Sequence, residues 1–120
     1  ARIRTSSDNG VSFHGDGGSN DYRGTYLETA GDAEDTSSSG VSVLGGIANT
    51  RSGICDIVGF NSADVPTFFK GSGANPNTQI FHAYHTSSVA CNAIRISTHP
   101  GEAATYDFTA GSIYLMGVKG

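Results

Sequence analysis

The sequence predicts an all-β domain, a sandwich or barrel of antiparallel strands, and three observations carry that expectation. Short apolar runs recur at a spacing of roughly a dozen residues, giving about eight or nine candidate strands. Glycine is abundant, 17 residues in a chain of 120, with only 3 prolines and no three-residue period; this suits a chain of many tight turns rather than a collagen-like repeat. No segment repeats its apolar residues with a helical period. The length corresponds to about one domain, so 1–120 is taken as a single unit, although 37% apolar content without any Trp makes for a thin core. Because Ala1 leads directly into strand-like sequence, these residues are expected to be the C-terminal part of a longer chain or a processed product.

Residues 2–5 form the first candidate strand, with Ile3 inward and Arg2 and Arg4 outward. Asp8-Asn9-Gly10 marks a hairpin turn, since Asn and Gly accept positive φ, and Val11-Ser-Phe13 is expected to return as a strand. A Gly-rich loop over 14–21 leads into a strand at 22–29, where alternation sets Tyr22 and Tyr26 on one side. Residues 30–40, small and acidic with Asp32, Glu34 and Asp35, are expected to be a mobile loop. A strand at 41–44 and a turn or bulge at Gly45-Gly46 precede residues 53–60, an apolar run expected to lie centrally in a sheet. Pro66 confines any pairing near it to an edge, residues 67–70 resume the strand, and 71–77 form a turn cluster.

The segment 78–86 is a long strand that sets Ile80, His82 and Tyr84 against Phe81, Ala83 and His85. Residues 89–97 follow with Ile94 and Ile96 inward and Arg95 outward, then a turn at 99–102. In the last stretch a small-residue turn, Thr109-Ala110-Gly111-Ser112, joins a run of Ile113, Tyr114, Leu115, Met116 and Val118. This run is rich in strand formers and too short for a helix, so it reads as a closing strand. Ile113 and Leu115 share one face, and Tyr114, Met116 and Val118 the other. A strand apolar on both faces lies inside a sandwich, or has one face in the core and the other against a second subunit. Tyr114, Met116 and Val118 are therefore the candidate oligomer interface, and Leu115→Asp is expected to abolish folding or assembly.

The chemistry-bearing residues exclude more than they select. The seven Lys and Arg residues are scattered through a chain of net charge -4, leaving no basic track for a phosphate backbone, so nucleic acid is not an expected partner. Neither a run of membrane-spanning length nor a signal-peptide pattern occurs, and no membrane insertion is expected. His82 and His85 have the spacing of a helical metal pair, but strand alternation sends them to opposite faces; they are expected as separate surface or partly buried imidazoles, with His14 and His99 in turns. The acidic pieces at Asp8, at Asp16 with Asp21, and at Asp32-Ala-Glu34-Asp35 lack the spaced ligand pattern of a calcium loop and read as solvated carboxylates. No metal or other cofactor is implied.

Gly-x-Ser-x-Gly and phosphate-loop motifs are both missing, and the chain is not expected to be an enzyme. Cys55 and Cys91 read as buried thiols acting as small hydrophobes, with a disulfide between neighbouring strands as the alternative. Tyr22, Tyr26 and Tyr84, beside loop Asn and Asp residues, are the ingredients of a glycan-binding surface, and equally of a half-buried core with hydroxyls at its rim.

Two separated motifs resemble a known family. Arg4-Thr-Ser-Ser-Asp-Asn-Gly-Val-Ser-Phe13, followed by Ser19-Asn-Asp-Tyr22, is similar to a pattern Arg-Thr-Ser-x-Asp-Gly-Gly-x-x-Phe with a downstream Ser-Asp-Tyr. Phe108-Thr-Ala-Gly-Ser112 with Leu115-Met-Gly-Val118 is similar to the family's aromatic-x-Ala-Gly-Ser turn and terminal Leu-Tyr-Gly-Ile/Val, Met116 standing where the family usually has Tyr. The family is the jelly-roll-like β-sandwich domain of bacteriophage and gene-transfer-agent virion proteins, of tail-fibre, head-fibre or spike type. The resemblance implies an antiparallel jelly-roll-like sandwich of about eight strands, placed at the virion surface as a structural component of the particle. It further implies a homo-oligomer, a trimer favoured, that contacts other virion proteins and attaches to host-surface glycan. The alternative from the residues is a carbohydrate-binding module of a secreted or virion-borne glycan-degrading enzyme.

Overall fold

A computed structural model describes residues 2–16, 19–28, 31–38, 40–42, 52–75, 77–97 and 111–117. The described secondary structure is all β, in chain order β1 (Arg2–Ser6), β2 (Tyr22–Glu28), β3 (Gly31–Ser38), β4 (Val41–Ser42), β5 (Ser52–Val58), β6 (Phe68–Asn75), β7 (Asn77–His85) and β8 (Ala93–Ser97). Every pairing is antiparallel. β1 and β8 form one sheet with the two-residue β4 at its edge, and β2, β7, β6 and β5 lie in that order in a second sheet with β3 along the outer side of β2.

Both sheets contribute to one core. Ile3 and Val41 from the first meet Tyr22, Phe69, Phe81 and Ala83 from the second, with Cys55, Ile57 and Ile94 packed around them. Alternation along β7 is as its sequence dictates: Phe81, Ala83 and His85 are buried, and Ile80, His82 and Tyr84 face outward. The two histidines of β7 therefore lie on opposite faces.

Several expectations are corrected. Val11-Ser-Phe13 is not a strand. Asp8 accepts the Ser12 N–H (3.0 Å) and hydroxyl (2.6 Å), and Asp16 accepts the Phe13 N–H (3.0 Å), so side-chain oxygens take the donors that a ladder would need. Asn9 and Gly10 do take positive φ, 61° and 83°, but the turn they make closes no hairpin.

Residues 31–38, expected as a mobile loop, are instead β3, paired with β2 from Tyr22↔Ser38 to Glu28↔Gly31. At a sheet edge the backbone partner decides, and acidic side chains are a common edge feature. The apolar run 53–60 is not central, because β5 pairs with β6 alone among the described strands. Residues 71–75 extend β6 rather than turn, and the chain reverses between Asn75 and Asn77. Glycine inside β6 has a local reason: a Cβ on Gly71 would overlap the Ile54 carbonyl oxygen and come within 2.6 Å of the Phe81 ring.

The terminal run departs furthest from expectation. Residues 111–117 pair with no described strand, and Ile113, Tyr114, Leu115 and Met116 are 64%, 82%, 84% and 82% exposed. The closing strand is thus absent there, and Leu115 is not a buried position. Val118 and the turns at 45–46 and 99–102 lie outside the described residues.

Candidate functional site

Three places concentrate side chains with chemical or binding potential: a buried polar cluster between the sheets, the outward face of the larger sheet, and the terminal run.

The cluster is built on β1. Ile3 and Thr5 point toward the core, whereas Arg4 points to the other face, where Asp16 meets it. Arg4, expected to be exposed, is only 5% so. Its guanidinium lies 3.0 Å from Asp16, which also receives Arg95, the residue opposite Arg4 in the β1·β8 ladder. Arg95 in turn covers the Phe13 ring at 4.3 Å. Desolvation opposes ionisation of Asp16, but hydrogen bonds from Arg95 and the Phe13 N–H, with the two guanidinium charges, bring its pKa down overall.

On the core face the Tyr22 hydroxyl accepts the Thr5 N–H (2.9 Å), lies 3.1 Å from Thr5 Oγ1 and donates to the His14 carbonyl (3.3 Å). Burial pushes this phenol's pKa up. His14 Nδ1 sits 3.0 Å from Thr5 Oγ1, and its ring meets that of His85 edge-on at 4.4 Å. The sequence expectation for His85 is corrected here: it is 3% exposed, against Tyr22 at 5.2 Å. Its Nδ1 lies 2.8 Å from the Ser87 carbonyl and 3.1 Å from the Ser87 N–H, while Nε2 has no hydrogen-bond partner.

Desolvation lowers the pKa of His14, and the charge of a protonated His85 would lower it further. Asp21, held low chiefly by the Ser19 hydroxyl (2.6 Å) and also by the Gly15 N–H (2.6 Å), fixes the entry to β2. Asp8 is likewise held well below the usual carboxylate range, by Ser12 first and then Ser6. Asp8 and Asp16 are exposed, as expected of loop carboxylates, and Asp21 is half-buried; Asp8 and Asp21 accept hydrogen bonds from residues 6–19 close by in sequence, and Asp16 ties the loop to Arg4 and Arg95. Among the described residues no set of three His, Cys, Asp or Glu side chains is placed to hold a metal ion.

The outward face of the larger sheet is laid out by register. Val58, Phe68, Tyr84 and Arg23 form one row across β5, β6, β7 and β2; Asp56, Lys70, His82 and Thr25 form the next; Ile54, Ser72 and Ile80 begin a third. Phe68 and Tyr84 are 38% and 40% exposed, and the Phe68 ring stacks near that of His82 at 6.4 Å. Apolar rows thus flank a charged one.

Of the three candidate glycan-binding tyrosines, Tyr22 and Tyr84 lie on opposite faces of the larger sheet. Tyr22 is 1% exposed in the core and is withdrawn as a ligand-contacting ring, because its hydroxyl is spent on Thr5 and His14. Position 26 stands in register with Phe81, two steps from Tyr22 along the same face, and its side chain lies outside the described set. Tyr84 faces outward, where Phe68, which alternation alone did not mark, stands directly opposite it. Both cysteines are free thiols. Cys91 is buried as expected, within 3.7 Å of the Thr67 hydroxyl. Cys55 is half-buried, its pKa pushed up to about 11 by burial and then by Asp56.

The chain matches no protein-family model, no curated protein and no solved structure.

Proposed function

We propose that the chain is a non-enzymatic structural module of a phage or phage-like particle, of fibre, spike or decoration type, working as a homo-oligomer in host-surface attachment. The observation that carries this reading is the terminal run: a segment whose apolar side chains Ile113, Tyr114, Leu115 and Met116 are mostly exposed in the single chain is the kind of surface that an assembly covers. Two nested pairings, β1·β8 in one sheet and β2·β7 in the other, support a jelly-roll-like sandwich, in which successive outer strands pair inward across alternating sheets. The inner strands depart from a full roll, since β3 lies against β2 and β6 against β5 and β7.

The alternative, a carbohydrate-binding module, is favoured by the Phe68–Tyr84 pair alone, an aromatic platform beside the polar row of Asp56, Lys70 and His82. Light scattering on the purified chain tests the first reading, with a trimer or other closed oligomer as the expected mass; a monomer at all concentrations overturns it. A glycan array with Tyr84→Ala as control tests the alternative, which requires a wild-type signal lost in the variant.

A further inference from the structure

We infer that the edge of β5 away from β6, which no described strand covers, receives residues 111–117 of a second copy of this chain as an added strand. The inference deepens the oligomeric reading above and rests on it, but makes a narrower claim about which surfaces meet. An exposed strand edge offers unpaired N–H and C=O groups, and an extended peptide that adds to it gains main-chain hydrogen bonds while its alternate side chains meet both faces of the sheet.

β5 is such an edge, with no described strand on the side away from β6. Its flank carries apolar residues on both faces: Ile54 and Val58 outward on either side of Asp56, both exposed, and Cys55 and Ile57 inward, only partly covered by the core. A strand laid along it must therefore be apolar at both parities. Residues 111–117 meet that requirement, with Ile113 and Leu115 on one parity and Tyr114 and Met116 on the other. Residues 111–117 carry no charge.

The other edges fit less well. β3 has the acidic sequence Gly-Asp-Ala-Glu-Asp-Thr-Ser-Ser, β4 is two residues long, and β8 spans five residues with Arg95 already bound to Asp16. Pairing β5 with β5 of another copy is disfavoured, because full antiparallel overlap sets each Asp56 opposite an Ile54 and the two carboxylates diagonal to one another. Within its own chain the segment is not packed, and a Cβ placed on Gly111 or Gly117 would meet nothing within 4 Å. A tail-to-edge junction is heterologous, so each copy both gives and receives a strand, and the copies close into a ring or continue as a filament.

The decisive experiment follows amide hydrogen exchange of the full-length chain over a concentration series, alongside its mass by light scattering. As the mass rises, amides in 52–58 and in 111–117 should gain protection together, by about tenfold or more. Tail-blocked (Leu115→Asp) and edge-blocked (Ile54→Lys with Val58→Lys) chains should each be folded monomers, and their equimolar mixture should give a heterodimer through the one junction left. Protection of 52–58 that does not depend on concentration overturns the second-copy assignment. Association that persists in either blocked chain, or protection of 111–117 without 52–58, overturns the junction while leaving the oligomeric reading standing. A wild-type monomer throughout overturns both.

Discussion

β1 and the terminal run are opposites in composition and in fate. β1 is Arg-Ile-Arg-Thr-Ser, four of its five residues polar, yet Ile3, Arg4, Thr5 and Ser6 are all buried. The run Ile113-Tyr-Leu-Met116 is apolar throughout, yet each of these residues is mostly exposed. Burial follows the partners on offer rather than hydropathy alone. Thr5 is enclosed because Tyr22 and His14 satisfy it, Arg4 because Asp16 meets its charge, and Ser6 because its hydroxyl receives the Asp8 and Gly10 N–H groups at 3.2 and 3.0 Å and donates to Asp8 at 2.6 Å. A buried polar group costs little when every donor and acceptor is matched, whereas an apolar strand with no neighbour has nothing to bury against.

The contrast can be sharpened by substitution, the largest effect being expected where the polar strand meets the core. Tyr22→Ala should destabilise the fold by about 3–5 kcal/mol, since it empties a core site and strands Thr5; urea unfolding measures this, and a cost below about 1 kcal/mol would sink the account of β1. Gly71→Ala should cost about 1–3 kcal/mol through overlap with the Ile54 carbonyl and the Phe81 ring, read by the same titration. Tyr22→Phe keeps the packing and removes only the hydroxyl, so a loss of about 1–2 kcal/mol is expected.

Acidification acts on the same cluster. The carboxylates of Asp16 and Asp21 are lowered by bonds made only in the folded chain, so their contribution is complete above the ordinary carboxylate range and is lost as the pH falls through their folded values. His14 is also lowered: the folded chain resists its protonation, so stability begins to fall once the pH drops below the ordinary histidine value and the loss is complete below the folded one. Both shifts have the same sign, and thermal unfolding between pH 7 and acid should show a falling midpoint that His14→Gln makes shallower in its upper part. At the other end of the comparison, Leu115→Asp should change monomer stability by less than about 0.5 kcal/mol. A larger loss in dilute solution would restore the terminal run to the core.

Much of the strand pattern was legible because it depends on short-range chemistry. Alternation in Phe81, Ala83 and His85 against Ile80, His82 and Tyr84 is a property of the extended backbone, and Asn9-Gly10 forms its turn because those residues accept positive φ. The same local logic kept His82 and His85 apart. Of the candidate site, Tyr84 was legible as an outward residue, but its neighbour Phe68 was not, because cross-strand register joins positions that the sequence keeps apart.

The sequence alone therefore determined an all-β chain, its antiparallel habit and the parity of its strands, since these follow from interactions within a few residues. Tertiary structure decided the rest: that acidic residues 31–38 form a strand, that the apolar run at 52–58 pairs with β6 alone among the described strands, that Tyr22 is core, and that His14 meets His85. Each depends on which distant segment supplies the next backbone or the matching hydrogen bond, and that partner is fixed only when the sheets close on one another.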